Sequence, residues 1–199
     1  MRGLLAAVRP SAEEVARSLP GDEVVPTAGR TAVTMDRAFD VDRPPEDVWP
    51  WLLQLGKGRA GWYLPRSVER ALPRSRRGAR RVSPQWQALA VGDRIPDYGP
   101  GGYFEVARLE PPYVLVYRSR RGRTHLSWAI TLRPGARPGA TRVHLRLRLA
   151  PVRRVRLAEH VGGAFDALTI AGMAGGLRER LDEGSEGSEG PQGSEGSAS

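Results

Sequence analysis

Two runs of strict alternation lie close together in the second half of this chain. Leu126, Trp128, Ile130 and Leu132 alternate with Ser127, Ala129 and Thr131, and Val143, Leu145, Leu147 and Leu149 alternate with Arg142, His144, Arg146 and Arg148. A period of two sends one set to each face of a strand. Between the runs, Arg133-Pro134-Gly135 to Pro138-Gly139 supplies turn chemistry, so the two strands are expected to be antiparallel neighbours, buried on one face and wet on the other. The four aliphatic residues of the second run should then point inward, with its arginines and His144 in solvent. A slip of one residue would invert all of them.

The longest helical pattern, residues 153–181, follows. Leu157, Val161, Phe165, Leu168, Met173, Leu177 and Leu181 form a broad stripe, yet Gly162, Gly163, Gly172, Gly175 and Gly176 lie inside it. Each glycine costs a helix about 1 kcal/mol relative to alanine. Their presence predicts that the helix crosses something closely, and that the missing side chains leave room for a cavity between helix and sheet.

Upstream, Thr31 to Asp42 alternates like a strand, with Arg37 on its apolar side. The simplest expectation for Arg37 is an edge position with its head in water. Pro44-Pro45, then Glu46 and Asp47, start a helix in which Val48, Trp51, Leu52 and Leu55 should face the sheet; Pro50 removes one bond and Gly56 is the expected left-handed cap. Ser67 to Leu72 reads as one or two helical turns, and Arg94 to Pro96, Tyr103 to Leu109 and Tyr113 to Arg118 read as further strands. Residues 11–26 read as a short helix opened by a capping box at Ser11 and ended by Pro20-Gly21. The arginine-rich stretch Arg74 to Arg81 is expected to be a solvated loop.

Composition excludes some chemistry. With no cysteine there are neither disulfides nor thiolate metal sites, and a cytoplasmic protein is the default. Net charge is +9, carried by 31 basic residues of which only Lys57 is lysine, a bias that GC-rich codons explain. Met1 to Val8 opens like a secretion signal but is cut short by Arg9-Pro10, so an arm or short helix is expected, and the apolar run Ala167 to Leu177 is too short to span a bilayer. Three parts result: residues 1–30 as an arm with a short helix, 31–181 as one folded domain, and 182–199 as a disordered acidic Gly/Ser/Glu tail.

Gly56-Lys57-Gly58-Arg59-Ala60-Gly61 spells GxGxxG, but a helix precedes it where the dinucleotide fingerprint needs a strand. His125, His144 and His160 are dispersed and lack zinc spacing. No Gly-x-Ser-x-Gly elbow is present, and no carboxylate pair stands out in an apolar setting. What remains is an aromatic set with polar handles, Trp62, Tyr63, Trp86, Tyr103, Tyr117 and Trp128, which fits the wall of an apolar pocket as well as it fits a core.

Several stretches together resemble the SRPBCC or START-like superfamily: Leu19-Pro20-Gly21-Asp22, Val48-Trp49-Pro50-Trp51-Leu52 with Gln54-Leu55-Gly56, Gly58-Arg59-Ala60-Gly61-Trp62-Tyr63, Pro84-Gln85-Trp86-Gln87 with Val91-Gly92-Asp93, and Ser127-Trp128-Ala129. The resemblance covers residues 12–181, and the branch is one of uncharacterised bacterial members. It implies an α+β helix-grip fold: a curved antiparallel sheet around a long C-terminal helix, with two short helices after the first strand. It also implies a cavity for a hydrophobic small molecule, some members being polyketide cyclases or aromatases and others partners of larger proteins. Leu64-Pro65, where relatives often have a polar segment, and the Arg74–Arg81 loop depart from that pattern. The candidate ligand-binding residues are Arg59, Trp62, Tyr63, Trp86, Tyr103, Tyr117, Trp128 and Phe165; no cofactor or metal is called for. The leading expectation is a carrier or sensor of a lipid- or polyketide-like molecule. The alternatives are a cyclase- or dehydratase-like enzyme, and an adaptor acting through its basic surface; no recognised nucleic-acid motif accompanies that charge. The oligomeric state is open.

Overall fold

The computed structural model describes residues 6–25, 31–97, 101–153 and 155–186. Its elements are α1 (Ala12–Ala16), β1 (Val33–Val41), α2 (Pro45–Gln54), α3 (Arg66–Arg70), β2 (Arg94–Pro96), β3 (Tyr103–Glu110), β4 (Val114–Arg121), β5 (Thr124–Pro134), β6 (Thr141–Ala150), α4 (Val155–Leu157), a π-helical turn (Ala158–Gly162) and α5 (Gly163–Glu186). The strands form one curved antiparallel sheet in the order β1-β6-β5-β4-β3-β2, with α5 held against it. This is the α+β helix-grip fold.

Cross-strand register builds the core. Phe39 lies opposite Val143 and Val143 opposite Leu132; Leu145 lies opposite Ile130 and Ile130 opposite Leu115. These rows meet Met173, Leu177 and the buried face of α2 in one apolar cluster. Proline at the first helical position, with Glu46 and Asp47 in the first turn, starts α2, and Gly56 at φ +133° follows its end. A side chain at Gly56 would sit 2.7 Å from Ile95, and mutual hydrogen bonds of 3.1 and 3.0 Å between Gly56 and Gly61 close the loop. Among the described residues no helix is long and apolar enough to cross a membrane.

The outer face of the hairpin departs from expectation. Val143 and Leu145 are buried and the parity is as the alternation predicts, but His144 and Arg146 are only 1% and 5% exposed. The segment before β1 covers them. Arg146 donates to the carbonyls of Arg17, Glu14 and Val15 and pairs with Asp22 at 2.9 Å and Asp36 at 2.8 Å, while His144 Nε2 lies 2.8 Å from Asp36. Arg148 reaches Asp22, and Arg142 joins Glu14 to Asp40. Alternation reports which face a side chain takes; it says nothing of what is laid over that face. Gly21, at φ +97°, brings the covering segment so close that a Cβ there would lie 2.6 Å from Val116 Cγ1.

The capping box of α1 is present, Ser11 and Glu14 exchanging backbone and side-chain bonds. Glu14 also accepts from Arg142 at 2.9 Å, and that bond holds its carboxyl at about 2 against the ordinary 4.5. A depressed carboxylate contributes stability above its unfolded pKa and loses it as pH falls through the folded one. Glu14→Gln is therefore expected to be less stable than wild type at pH 6, with the gap closing between pH 4.5 and about 2. Urea melts of the two proteins across that range test this; a gap independent of pH would contradict it.

Helix α5 is glycine-thinned for a different reason from the one expected. A Cβ at Gly176 would lie 2.5 Å from Leu64 N, one at Gly172 2.8 Å from Leu64 Cδ2, and one at Gly175 3.1 Å from Pro65 Cγ. The crossing is real, but Leu64-Pro65 fills it where a cavity was anticipated. The apolar stripe is buried only in part: Met173, Leu177 and Leu181 are interior, whereas Phe165 and Leu168 are 71% and 53% exposed. The helix continues past Leu181 to Glu186, with Glu183 accepting from Arg66 and Arg80; the rest of the expected tail lies outside the described residues.

Two arginine expectations change as well. Arg37 does not extend into water: it donates to Gly163 O at 2.6 Å and pairs with Asp166 at 3.0 Å, tying β1 to the start of α5. In the Arg74–Arg81 loop, Arg80 pairs with Glu69, Glu179 and Glu183, and Arg77 caps Leu72 O and Arg70 O. Only Arg74, Arg76 and Arg81 of that stretch are left as an exposed basic surface not engaged in this way.

Candidate functional site

Strand parity gathers an aromatic group at the β3 to β5 end of the inner face. Tyr117 lies opposite Val106 on one side and Trp128 on the other, and Phe104, two residues from Val106, shares that face. The loop leaving Gly61 brings Trp62 over the group. Trp62 stacks on Trp128 at 6.0 Å and 27°, Trp128 stacks on Tyr117 at 5.8 Å and 25°, and Phe104 stands 6.0 Å from both Tyr117 and Trp128. Trp62 Nε1 donates to Thr169 O at 3.4 Å, which fixes the ring against α5.

These four rings, with Leu55, the Gly56–Gly61 loop and Ile95 to Asp97, enclose a cleft of about 100 Å³. Its rim is polar. Lys57 donates to Asp97 O at 3.3 Å, the Asp97 carboxylate pairs with Arg121, and the Arg121 guanidinium lies 5.4 Å over Phe104. A larger hollow of about 670 Å³ lies between the N-terminal segment and β1, but it is an open surface groove. Enclosure and aromatic walls make the smaller cleft the better ligand site.

Two buried donors beside this group lack acceptors. The Tyr117 hydroxyl has no hydrogen-bond partner although the residue is 3% exposed. Burial pushes that phenol up, so it remains a neutral O–H donor. Arg59 comes from the loop that forms one wall. It donates to Leu53 O and Trp86 O, both at 2.9 Å, and its guanidinium lies 4.7 Å over the Trp86 ring, but its Nε is buried and unpartnered. Among the described residues no carboxylate lies within 4.0 Å of it. Burial lowers the Arg59 pKa, and Tyr117 is among the groups close enough to act on it.

Of the residues singled out from sequence, Trp62, Tyr117 and Trp128 come together in the cleft, and Arg59 stands on its loop. Trp86 lies under Arg59 outside the lining. Tyr63 is fully buried, donating to Trp51 O at 2.8 Å with its ring 4.7 Å beneath Arg180, so it joins α2 to α5. Tyr103 has the opposite parity to Phe104 and lies under Arg94 on the outer face, and Phe165 is exposed and apart from the group. Phe104, Leu55, Ile95, Lys57 and Asp97 were not singled out. For Phe104 the signal existed: its parity with Val106 places it inward and Tyr103 outward. The others come from loops and a three-residue strand, where no periodicity operates.

No family model matches the chain, and none of the curated proteins resembles it. Among solved structures, CalU16 from Micromonospora echinospora is 17% identical, over 80% of this chain and 90% of that one, with a TM-score of 0.43. DynU16, from the dynemicin biosynthetic locus, is 20% identical over 76% of this chain with a TM-score of 0.44; the match spans about half its length, 48%. A protein from Arthrobacter aurescens is 16% identical, over 75% of this chain and 86% of that one, with a TM-score of 0.46. At these scores the likenesses carry no inference about ligand or activity.

Proposed function

We propose that this protein binds a small hydrophobic or aromatic molecule in the cleft walled by Trp62, Phe104, Tyr117 and Trp128, as a carrier or sensor. The supporting observation is the four-ring enclosure beside a polar rim. Small-molecule sites are mostly apolar with a few directing polar groups, which describes this cleft. Its volume of about 100 Å³ is well below the roughly 300–1,000 Å³ of sites for drug-sized ligands, so a long chain undergoing cyclisation is a poorer fit than a single ring. Asp97, the one carboxylate at the rim among the described residues, is already paired with Arg121, which argues against an isolated general acid or base. An adaptor role through the Arg74–Arg81 loop is weakened because Arg77 and Arg80 are spent on internal contacts.

Fluorobenzene, followed by its fluorine resonance, is a suitable probe of a site this small. Wild type is expected to bind it saturably. Trp62→Ala should weaken binding by roughly tenfold or more while costing less stability than Trp51→Ala, because Trp62 is only partly buried and Trp51 is 6% exposed. Titrations and urea melts on both variants give the comparison. Unchanged affinity in folded Trp62→Ala would remove the cleft as the ligand site.

A further inference from the structure

Helix α5 begins with two large apolar side chains that stay in solvent. Phe165 is 71% exposed and Leu168 53%, and residues three apart share one face of a helix. Continued through Gly172 and Gly176, this is the face that Leu64 crosses in close contact. Leu168 also precedes Thr169, whose carbonyl holds the Trp62 ring. The surroundings of the pair are cationic. The turn between β4 and β5 carries Arg120, Arg121 and Arg123, and the sheet sets it beside the segment that leads into α5: His125 lies opposite Ala150, and Thr124 Oγ1 donates to Pro151 O at 3.0 Å. Arg153 and Arg156 follow on that segment. Arg120, Arg123, Arg153 and Arg156 are all exposed, and among the described residues none of them has a carboxylate within 4.0 Å. Of the acids at this end, Asp97 is paired with Arg121 and Asp166 with Arg37, so the exposed Glu159 stands against four arginines.

We infer that this end of the protein docks on an anionic lipid surface, with Phe165 and Leu168 entering the acyl boundary while Arg120, Arg123, Arg153 and Arg156 meet headgroup phosphates. A partner for this end has to be apolar and negatively charged within one contact. A bilayer with anionic headgroups is both, because its acyl region begins within about 5–10 Å of the charged layer. Arginine suits that boundary: its stem lies along apolar surface while its guanidinium stays with phosphate. Each arginine brought to such a surface strengthens binding about fivefold. The attachment is peripheral and reversible, since two anchors are far short of a span and no helix among the described residues can cross a membrane. The inference does not require the cleft to be occupied. Lys57 and Asp97 at the cleft rim belong to the same end through the pairing of Asp97 with Arg121, so carrier and docking surface would be neighbours.

Co-sedimentation with vesicles tests this, using phosphatidylcholine alone and phosphatidylcholine mixed with phosphatidylglycerol. Wild type is expected to bind the mixed vesicles saturably and the neutral ones more weakly by roughly tenfold or more. The double variant Phe165→Ser/Leu168→Ser should lose roughly tenfold on mixed vesicles, and Arg120→Ser/Arg123→Ser roughly twenty-five-fold. All four residues are exposed, so urea melts of both variants should match wild type. Arg74→Ser/Arg76→Ser is the control for net charge. It removes the same charge near the far end of α5, in the loop whose Arg80 meets Glu179 and Glu183, and should bind nearly as wild type does. Equal losses from the two arginine variants would reduce the interaction to the general attraction of a basic protein and overturn the docking face. Unchanged binding by Phe165→Ser/Leu168→Ser would overturn it too, as would failure of wild type to bind the mixed vesicles. If wild type ignores vesicles but forms a dimer that Phe165→Ser/Leu168→Ser abolishes, the occupant is a second copy and the lipid surface is wrong.

Discussion

Arg180→Ala is expected to destabilise the fold by about 3–5 kcal/mol, the cost of removing one partner from a buried ion pair. Arg180 is completely buried, and its guanidinium makes five bonds: to Glu69 Oε1 at 2.6 Å, Ala79 O at 2.7 Å, Gly176 O at 2.8 Å, Leu64 O at 3.1 Å and Gly78 O at 3.2 Å. It also lies 4.7 Å over Tyr63. Truncation leaves Glu69, itself 5% exposed, with Arg80 and the Gly78 amide as its remaining partners, and strands up to four carbonyls. Burial opposes ionisation of Glu69, but the hydrogen bond and charge of Arg180, reinforced by Arg80, hold its pKa below the usual range. Lysine should not rescue the loss, because three donors on a flexible stem cannot replace a planar fork. Urea denaturation of Arg180→Ala, Arg180→Lys and Arg180→Met would decide it. A loss below about 1 kcal/mol in the alanine variant would show that the pair contributes specificity without stability.

Helical spacing puts Arg180 on the buried stripe, seven residues after Met173 and three after Leu177, with Arg178 and Glu179 turned away, but by residue type an arginine there reads as a surface side chain extending to water. Its burial depends on Glu69 and on the carbonyls of 78–79, more than 100 residues away in the chain. The fold class, by contrast, was legible because it rests on local periodicities: the 126–132 and 143–149 alternations pair in the register those patterns require, and the Pro134–Gly139 turn chemistry joins them. The same periodicity failed for exposure on the outer face, since Arg146 and His144 are covered by residues far upstream. At the candidate site, Trp62, Tyr117 and Trp128 were legible as aromatics on an inner parity or beside a glycine loop. Tyr63 has the same local credentials as Trp62 and a different place, because adjacent residues in an extended segment point opposite ways. Phe165 belonged to an apolar stripe, but it and Leu168 stay exposed at the start of α5.

The glycines of α5 carry the other large expected effect. Gly176→Ala should cost several kcal/mol and could prevent folding, because its Cβ would lie 2.5, 2.6 and 2.7 Å from the N, C and Cα atoms of Leu64. Overpacking against a movable side chain typically costs about 1–3 kcal/mol; here the obstacle is backbone, and it cannot rotate away. Leu64 is also held by its carbonyl to Arg180 and adjoins Tyr63, so displacing it disturbs the Glu69–Arg180 contacts at the same time. Gly172→Ala offers a graded comparison: its Cβ meets only Leu64 Cδ2 at 2.8 Å, the far end of a side chain with other rotamers. Its loss should therefore be smaller, partly offset by alanine's advantage of about 1 kcal/mol in a helix. Gly184→Ala, with nothing within 4 Å, is expected to be neutral or slightly stabilising. Urea melts of the three variants should rank them in that order of loss, Gly176 far ahead of Gly172 and Gly184 last. Equal behaviour of all three would mean that Leu64-Pro65 does not cross α5 in contact, and the helix would then have the free space beneath it that its glycines alone imply.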